Sequence, residues 1–132
     1  MILDSSAILA ILLQEPGWEK LLDRIGAEPA VAVGAPTLVE TGIVLSSRLG
    51  RNARPILNDF VRESDIEVIS FGREHFEAAM GAFSLYGKGR HKAALNFGDC
   101  MSYAMAHVAG MPLLYTGNDF SRTDLRRPDA EN

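Results

Sequence analysis

Short apolar runs alternate with longer amphipathic stretches along the whole chain. The short runs predict strands at residues 2–3, 30–33, 67–71 and 112–115. The amphipathic stretches between them predict helices at residues 7–14, 18–25, 36–48, 53–63, 73–86 and 98–109. Strands that alternate with helices in this way predict a parallel β-sheet flanked by helices on both faces, an α/β/α arrangement.

Local sequence features refine this pattern at three places. Ser5 or Ser6 is expected to cap the first helix, because a serine hydroxyl accepts hydrogen bonds from free backbone N–H groups. Residues 87–92, Gly-Lys-Gly-Arg-His-Lys, are too rich in glycine and basic side chains for a core and predict a loop. On the helix between residues 73 and 86, an apolar stripe is expected in the core or in a dimer interface; it comprises Phe76, Met80 and Phe83.

Four carboxylates stand alone in segments that otherwise resemble core. Each is the only Asp, Glu, Lys or Arg in its window: Asp4 in residues 1–14, Glu40 in 30–47, Asp99 in 93–107 and Asp119 in 108–121. An ionised carboxylate is costly to bury without compensation, and nearby like charges raise that cost. Asp4 and Asp119 follow predicted strands, at the edge where parallel sheets form their sites. A shared divalent cation that prefers oxygen ligands, Mg²⁺ or Mn²⁺, is the simplest common partner.

Composition narrows the class of protein. The 132 residues fit a single domain, with 13 Lys and Arg against 17 Asp and Glu and a formal net charge of −4. One cysteine, Cys100, excludes an internal disulfide and a Cys-rich zinc site, and we interpret it as a packing residue. The first apolar run is too short to cross a bilayer and no basic segment precedes it, so we expect a cytoplasmic protein with no membrane partner.

Basic residues cluster at two places despite the acidic average. The loop supplies Lys88, Arg90, His91 and Lys92, and a second strip supplies Arg48, Arg51 and Arg54. Side chains of this kind bind phosphate groups and carry little sequence information. They are candidate RNA contacts, although a solvated surface explains the loop equally well.

Four segments carry motifs in a fixed order: Met-Ile-Leu-Asp-Ser-Ser-Ala at residues 1–7, Leu-Val-Glu-Thr at 38–41, Leu-Asn-Phe-Gly-Asp-Cys at 95–100 and Pro-Leu-Leu-Tyr-Thr-Gly-Asn-Asp-Phe at 112–120. Together they resemble the PIN-domain ribonucleases, specifically the VapC-type toxins of bacterial toxin–antitoxin pairs. The resemblance implies one PIN-like domain over residues 1–132. It places the acidic cluster of that family at Asp4, Glu40, Asp99 and Asp119. Ser6 matches the small hydroxyl residue beside the first acid, and Asn118 is expected to bind a ligand or a metal-bound water.

The activity implied by this resemblance is that of an endoribonuclease dependent on Mg²⁺ or Mn²⁺. Its substrate would be a structured RNA such as tRNA or rRNA, cleaved by hydrolysis of a phosphodiester bond. Asp4 and Asp99 are expected to bind the metal directly, while Glu40 and Asp119 bind it directly or through water, with one or two ions. The resemblance also implies a VapB-like antitoxin and a homodimer. We expect an antitoxin segment in the apolar grooves between the N-terminal helices.

Alternatives remain open from the sequence. Asp124 lies five residues after Asp119 and is a second candidate for the fourth acid, although Asp119 directly follows a predicted strand and turn. The main alternative function is a non-catalytic PIN-like module that binds a metal or a partner. A phosphoryl-accepting α/β protein fits poorly, because Glu40 lies inside a predicted helix and the later lysines lie in the loop.

Overall fold

A four-stranded parallel sheet forms the centre of the structure, a computed structural model that describes residues 1–125 and 128. In sheet order the strands are β3 (Glu67–Ile69), β2 (Ala32–Gly34), β1 (Ile2–Leu3) and β4 (Leu113–Leu114). The central Ile2 pairs with Ala32 on one side and with Leu113 on the other. The predicted parallel sheet is confirmed. Strand β1 has the predicted bounds, and the other three strands are shorter than predicted. The two-residue β1 offers few pairing partners to its neighbours β2 and β4.

Within the described residues, six helices connect and flank these strands. They are α1 (Ser5–Leu12), α2 (Trp18–Ala27), α3 (Ala35–Leu49), α4 (Arg54–Glu63), α5 (Arg73–Tyr86) and α6 (Phe97–Ala109). Each matches a helix predicted from the apolar spacing, with ends that differ by at most two residues. None of these described helices combines the length and apolar character needed to cross a membrane.

Asp4, and not Ser5 or Ser6, caps helix α1. Its backbone is extended, with φ −86° and ψ 157°, and its Oδ2 accepts a hydrogen bond from the Ser6 N–H at 3.1 Å. The expected serine cap is therefore wrong, because a carboxylate one residue earlier already satisfies the free N–H. Asp4 also continues the sheet, since its N–H donates to the Leu114 carbonyl at 2.9 Å. One residue thus ends β1 and begins α1.

Two hydrophobic cores pack on opposite faces of the sheet. Ile2 lies in the core covered by α5 and α6, while its neighbour Leu3 lies in the core covered by α1, α2 and α4. Successive side chains of a strand point to opposite faces, so one short strand supplies both cores. The side chains of Ile2 and Leu3 are both fully buried. Burial of each stabilises the folded state by about 1.5–3 kcal/mol. The layered α/β/α arrangement is therefore confirmed.

The apolar stripe on α5 lies outside the core. Phe76 and Met80 are 53% and 51% exposed, whereas Ala79 and Ala82 are buried. Helix α5 therefore packs on α6 through its small residues and turns the large ones outward. The expectation that this stripe is core is wrong, and a dimer interface is the alternative that remains.

Candidate active site

The four solitary acids meet at the carboxyl edge of the sheet. Asp4 directly follows β1, and Glu40 lies on α3, which begins at the end of β2. Asp99 lies in the first turn of α6, and Asp119 follows β4. Their proximity is seen at the Asp99 carboxyl group, on which the charges of Asp119, Asp4 and Glu40 all act. Asp4 and Asp99 are buried, Glu40 is half-buried and Asp119 is exposed.

The Asp4 carboxylate is held by three donors. Oδ2 accepts from the Ser6 backbone N–H at 3.1 Å and from the Ser6 hydroxyl at 2.6 Å. Oδ1 accepts from the Ser102 hydroxyl at 2.5 Å. A carboxylate has only acceptor sites, so these donors compensate its burial and fix the direction of both oxygens.

Two buried hydroxyls, those of Ser102 and Thr37, support the Asp4 carboxylate. Ser102 Oγ lies 3.2 Å from Thr37 Oγ1. Because the Ser102 hydrogen is used on Asp4, Thr37 must be the donor in this pair. The Thr41 hydroxyl donates to the Thr37 carbonyl at 2.7 Å, and all three side chains are buried. The sequence pattern does not identify Ser102, Thr37 and Thr41. One signal is available, because the i, i+3 spacing of Asp99 and Ser102 places both side chains on one side of α6.

Ser6 links Asp4 to the turn that carries Asp119. The Thr116 N–H donates to Ser6 Oγ at 3.0 Å, and the same hydroxyl donates to Asp4. Asn118, also in this turn, is exposed, and its backbone carbonyl accepts from the Ser121 hydroxyl at 2.7 Å. Its side chain makes no hydrogen bond within residues 1–125, so its expected contact with a ligand stays a prediction.

Asp99 and Asn96 cap the start of α6 reciprocally. The Asp99 N–H donates to Asn96 Oδ1 at 2.9 Å, and the Asn96 N–H donates to Asp99 Oδ2 at 3.0 Å. Burial raises the pKa of the Asp99 carboxyl group to about 6, the Asn96 N–H opposes this rise, and the nearby charges of Asp119, Asp4 and Glu40 add to it. Its Oδ1 accepts no hydrogen bond from residues 1–125, so one oxygen remains available for a ligand.

Gly98 makes room for the Glu40 side chain. A Cβ atom at position 98 would overlap the Glu40 carboxylate. The absence of a side chain at Gly98 therefore lets the acid from α3 lie directly against α6, beside Asp99. Residues 96–99 of the Leu-Asn-Phe-Gly-Asp motif thus supply the N-cap of α6 at Asn96, the space for Glu40 at Gly98 and the acid Asp99.

No basic side chain neutralises the four acids within the described part of the chain, where the ion pairs are Arg24–Glu28 and Arg62–Asp59. Residues 1–125 and 128 also contain no group of three His, Cys, Asp or Glu side chains close enough to hold a metal ion directly. Mg²⁺ usually takes one or two carboxylates and keeps several waters. The oxygen-only donors and the unbalanced charge fit a hydrated divalent ion.

Asp124 is held away from this cluster. Its Oδ1 accepts a hydrogen bond from the Tyr103 hydroxyl at 2.7 Å, and Tyr103 is buried in the core under α5 and α6. Asp124 is not among the charges that act on Asp99, whereas Asp119 is. Two of the arginines that surround Asp124 in sequence, at positions 126 and 127, lie outside the described residues.

The predicted basic loop is exposed and tied to α5. The Arg90 guanidinium lies 5.0 Å from the centre of the Phe83 ring, and His91 packs edge-on against Tyr86 at 5.2 Å. The loop closes where the Lys88 N–H donates to the Leu95 carbonyl at 2.9 Å. Lys88, Arg90, His91 and Lys92 make no ion pair with the four acids in residues 1–125.

The second basic strip lies at the C-terminal end of α3 and beyond it. Arg48 follows Glu40 by eight residues on α3, which corresponds to about 12 Å along the helix axis. Arg51 and Arg54 follow beyond the end of that helix, and all three are exposed. None of these three arginines forms an ion pair with the four acids in residues 1–125.

Comparison with known proteins places the chain in a family. The PIN domain profile matches residues 1–125. Ribonuclease VapC36 of Mycobacterium tuberculosis is 45% identical over 126 residues, which cover 95% of this chain and 91% of that protein. Ribonuclease VapC of Mycolicibacterium smegmatis is 38% identical over 125 residues, which cover 95% and 97% of the two chains.

Solved structures show the same fold. The crystal structure of Mycobacterium tuberculosis VapC20, described as a sarcin–ricin loop cleaving toxin, superposes with a TM-score of 0.74 at 18% identity over 95% of each chain. A toxin–antitoxin complex from Klebsiella pneumoniae gives 0.70 at 16% identity over 96% of each chain. With the family profile and the relatives above 30% identity, these findings show that the chain belongs to the PIN-domain family, among the VapC ribonucleases.

Proposed function

We propose that this VapC ribonuclease hydrolyses RNA at the cluster of Asp4, Glu40, Asp99 and Asp119, with Mg²⁺ or Mn²⁺ as cofactor. The observation that carries the proposal is the meeting of these acids at one edge of the sheet, with no basic partner in the described residues. A bound divalent ion lowers the pKa of water and neutralises charge on a phosphoryl group. Carboxylates are suitable ligands for both ions.

The four acids have different surroundings, which suggests different roles. Asp4 is buried and fixed by three donors, and Asp99 keeps Oδ1 available, so we assign these two as direct metal ligands. Glu40 rests against Gly98, and Asp119 lies exposed at the mouth of the site. We assign this second pair to contacts made directly or through water, including the orientation of the attacking water.

RNA binding is assigned to the loop that precedes α6. It presents Lys88, Arg90, His91 and Lys92 to solvent and closes at Leu95, one residue before Asn96, which caps the helix that carries Asp99. Phosphate contacts of this type position an RNA without reading its sequence. We therefore propose a structured RNA, a tRNA or an rRNA loop, with selectivity set by shape and by exposed single-stranded bases.

Cleavage of purified RNA with and without divalent ions tests the proposed function. We expect the wild-type protein to cleave in Mg²⁺ or Mn²⁺ and to stop when EDTA is added, with Asp99→Asn as the matched inactive control. Mapping new RNA 5′ ends in cells that express either protein then identifies the target. Cleavage that survives both EDTA and Asp99→Asn contradicts the proposed chemistry, and a folded wild type with no cleavage favours the non-catalytic binding module.

Replacing Ser102 by Ala is expected to lower the cleavage rate about tenfold, because Asp4 Oδ1 loses its donor and the carboxylate loses its fixed direction. The buried acceptor left unpaired is also expected to reduce the free energy of unfolding by about 1–3 kcal/mol. Thr41→Val is the matched control, since the Thr41 hydroxyl is equally buried but contacts only the Thr37 carbonyl. Mn²⁺ affinity, unfolding and cleavage are measured on both; equal Mn²⁺ affinity in Ser102→Ala and wild type contradicts the positioning role.

An antitoxin partner is proposed for the groove between α3 and α4. This cavity of about 620 Å³ is lined mainly by apolar side chains, including Leu38, Val39, Ile43, Leu57 and Val68. Val39 and Ile43 are 61% and 66% exposed, which leaves apolar surface for an amphipathic segment of a VapB-like antitoxin to bury. Glu40 follows Val39 on the same helix, so such a segment brings an arginine within reach of the acid cluster, where a charge-assisted pair blocks the site.

Self-association is proposed for the stripe of Phe76, Met80 and Phe83 on α5. These large apolar side chains are exposed on a surface helix, and Leu85 nearby is 62% exposed. A twofold dimer brings the same stripe of two copies together and removes it from water. The α5 stripe and the α3–α4 groove lie on different helices, so the two interfaces can be tested separately.

Reciprocal charge substitutions separate these two interfaces. Met80→Glu is expected to give a monomer that still binds the antitoxin, because the charge disrupts only the α5 stripe. Ile43→Glu is expected to keep the dimer and to weaken antitoxin binding at least tenfold. Light scattering and titration with the antitoxin encoded beside the toxin measure both; a dimeric Met80→Glu or a tightly bound Ile43→Glu contradicts the corresponding assignment.

A further inference from the structure

The segment that carries Asp119 is folded into a run of short turns. The Ser121 N–H donates to the Asn118 carbonyl at 3.2 Å, and the Ser121 hydroxyl donates to the same carbonyl at 2.7 Å. In the next turn the Thr123 N–H donates to the Phe120 carbonyl at 3.1 Å, and the Thr123 hydroxyl donates to it at 2.7 Å. Asp119 lies inside the first turn, so its position depends on where these linked turns are attached to the rest of the protein.

Two contacts attach these turns to the core under α5 and α6. Phe120, directly after Asp119, is fully buried in that core. Burial of an apolar ring holds a residue in place, but the hydrophobic effect has no direction. The second contact is directional, because Asp124 Oδ1 accepts a hydrogen bond from the Tyr103 hydroxyl at 2.7 Å. Together the two contacts fix both the position and the orientation of the segment.

The Tyr103 side chain is itself held by its neighbours. Its buried ring stacks on His107 with centroids 5.7 Å apart and contacts the Tyr86 ring at 5.9 Å. Burial raises the pKa of the Tyr103 hydroxyl, and its hydrogen bond with Asp124 raises it further, so the hydroxyl stays a donor at neutral pH. Burial also raises the pKa of Tyr86, and the charge of Asp124 adds to this rise, so Asp124 lies near both tyrosines.

Helix α6 also contacts or carries the other three acids of the site. These are Asp99 on the helix itself, Asp4 through the Ser102 hydroxyl, and Glu40 through its close approach to Gly98. Tyr103 lies on the same helix, one turn after Asp99. A hydrogen bond from Tyr103 to the segment that carries Asp119 therefore ties the fourth acid to the helix that places the other three.

We propose that Asp124 is a positioning residue of the ribonuclease, which through Tyr103 holds the turn of Asp119 in a fixed place relative to the other acids. The inference rests on the proposed function and goes beyond it, because none of the proposed roles uses Asp124. In this role Asp124 acts as a hydrogen-bond acceptor and not as a metal ligand. An acceptor oxygen at position 124 is therefore sufficient, and a negative charge there is not required.

Amide hydrogen exchange in metal-free protein tests whether this hydrogen bond holds the segment, because exchange reports local opening. The Ser121 and Thr123 N–H groups are expected to exchange about fivefold faster in Tyr103→Phe and Asp124→Ala than in wild type, as loss of a hydrogen bond implies. Asp124→Asn keeps an oxygen that accepts from Tyr103 and is expected to stay within about twofold. Tyr115→Phe is the matched control, since the Tyr115 hydroxyl makes no hydrogen bond within residues 1–125.

Cleavage and Mn²⁺ binding test whether this attachment matters for the site. Tyr103→Phe and Asp124→Ala are expected to lower the cleavage rate about tenfold, the lower end of the effect of residues that orient a metal ligand. Their affinity for Mn²⁺, measured by electron paramagnetic resonance without RNA, is expected to fall at least about threefold. Asp124→Asn and Tyr115→Phe are expected to stay within about twofold of wild type in both measurements.

The outcomes separate this inference from the function on which it rests. Unchanged exchange or unchanged cleavage in Tyr103→Phe contradicts the positioning role and leaves the ribonuclease proposal standing. If Asp124→Asn loses as much cleavage as Asp119→Asn, Asp124 is a metal ligand and the positioning role is wrong. A folded wild type that cleaves no RNA contradicts the proposed function itself. Asp124 is exposed and Tyr103→Phe keeps the buried ring, so these variants are expected to fold, which thermal unfolding checks.

Discussion

Asp99→Asn is expected to abolish cleavage and, at the same time, to stabilise the protein in the absence of metal. The activity is lost because the amide carries no charge and is a weak ligand for Mg²⁺. Removing a residue that only supports a metal ligand lowers metal affinity or activity about 10–100-fold. Removing a direct ligand is therefore expected to lower the cleavage rate at least about a hundredfold. The cap of α6 survives, since the asparagine oxygen still accepts from the Asn96 N–H.

The gain in stability follows from the raised pKa of Asp99. Its carboxyl group has a pKa of about 6 in the folded protein against 3.8 for the ordinary group, so the folded state keeps a proton that the unfolded state has lost. In metal-free protein the stabilisation is complete below pH 3.8 and disappears as the pH rises through about 6. Because solvent partly screens the carboxyl group, the loss by neutral pH is on the order of 1–3 kcal/mol.

Urea unfolding in EDTA between pH 4 and 8 measures this effect. The wild-type free energy of unfolding is expected to fall across that range, while the Asp99→Asn variant shows a smaller fall and is more stable by roughly 1–3 kcal/mol at neutral pH. Saturating Mg²⁺ is expected to stabilise the wild type and not the variant. A variant that is less stable than wild type without metal contradicts this account and assigns Asp99 a structural role.

Gly98→Ala is expected to reduce cleavage about ten- to a hundredfold while leaving the fold intact. The added Cβ overlaps the Glu40 carboxylate, which lies at the end of a flexible side chain and moves away from Asp99. Alanine is favoured over glycine in a helix by up to about 1 kcal/mol, so stability is expected to stay equal or rise. Activity and stability thus change in opposite directions.

Gly81→Ala on α5 is the matched control for this substitution. A Cβ atom at position 81 has no neighbour within 4 Å, so the same chemical change leaves the acids untouched. Cleavage by Gly81→Ala is expected to equal that of wild type, with a small gain in stability. Unchanged cleavage by Gly98→Ala would mean that the position of Glu40 does not matter for the reaction.

The sequence predicts the layers of this fold and the acids of its site for the same physical reason. Apolar spacing identifies segments that must be buried, and a lone carboxylate in such a segment requires compensation. This reasoning does not identify Ser102 and Thr37, because a small hydroxyl side chain on an apolar helix face resembles an ordinary core residue. The α5 stripe is misplaced because spacing shows which side chains share a face and not what covers that face; Ala79 and Ala82 pack on α6 instead.

Features built from distant segments are also invisible in the sequence. Glu40 and Gly98 lie far apart in the chain and come into contact only when α3 packs against α6. Likewise, Asp119 and Asp124 lie close together in sequence, and only the contact between Tyr103 and Asp124 separates their surroundings. Packing decides both cases.

Asp4 is both an acid of the site and the N-cap of α1, which affects how an inactive form of this toxin should be prepared. Alanine at position 4 removes an acid of the site together with the cap of α1, and losing a cap alone costs about 0.5–2 kcal/mol. A growth assay of such a variant does not distinguish loss of folding from loss of catalysis. For crystallisation with RNA or antitoxin, Asp99→Asn is the better choice, because this inactive variant is expected to be more stable than the wild type in the absence of metal.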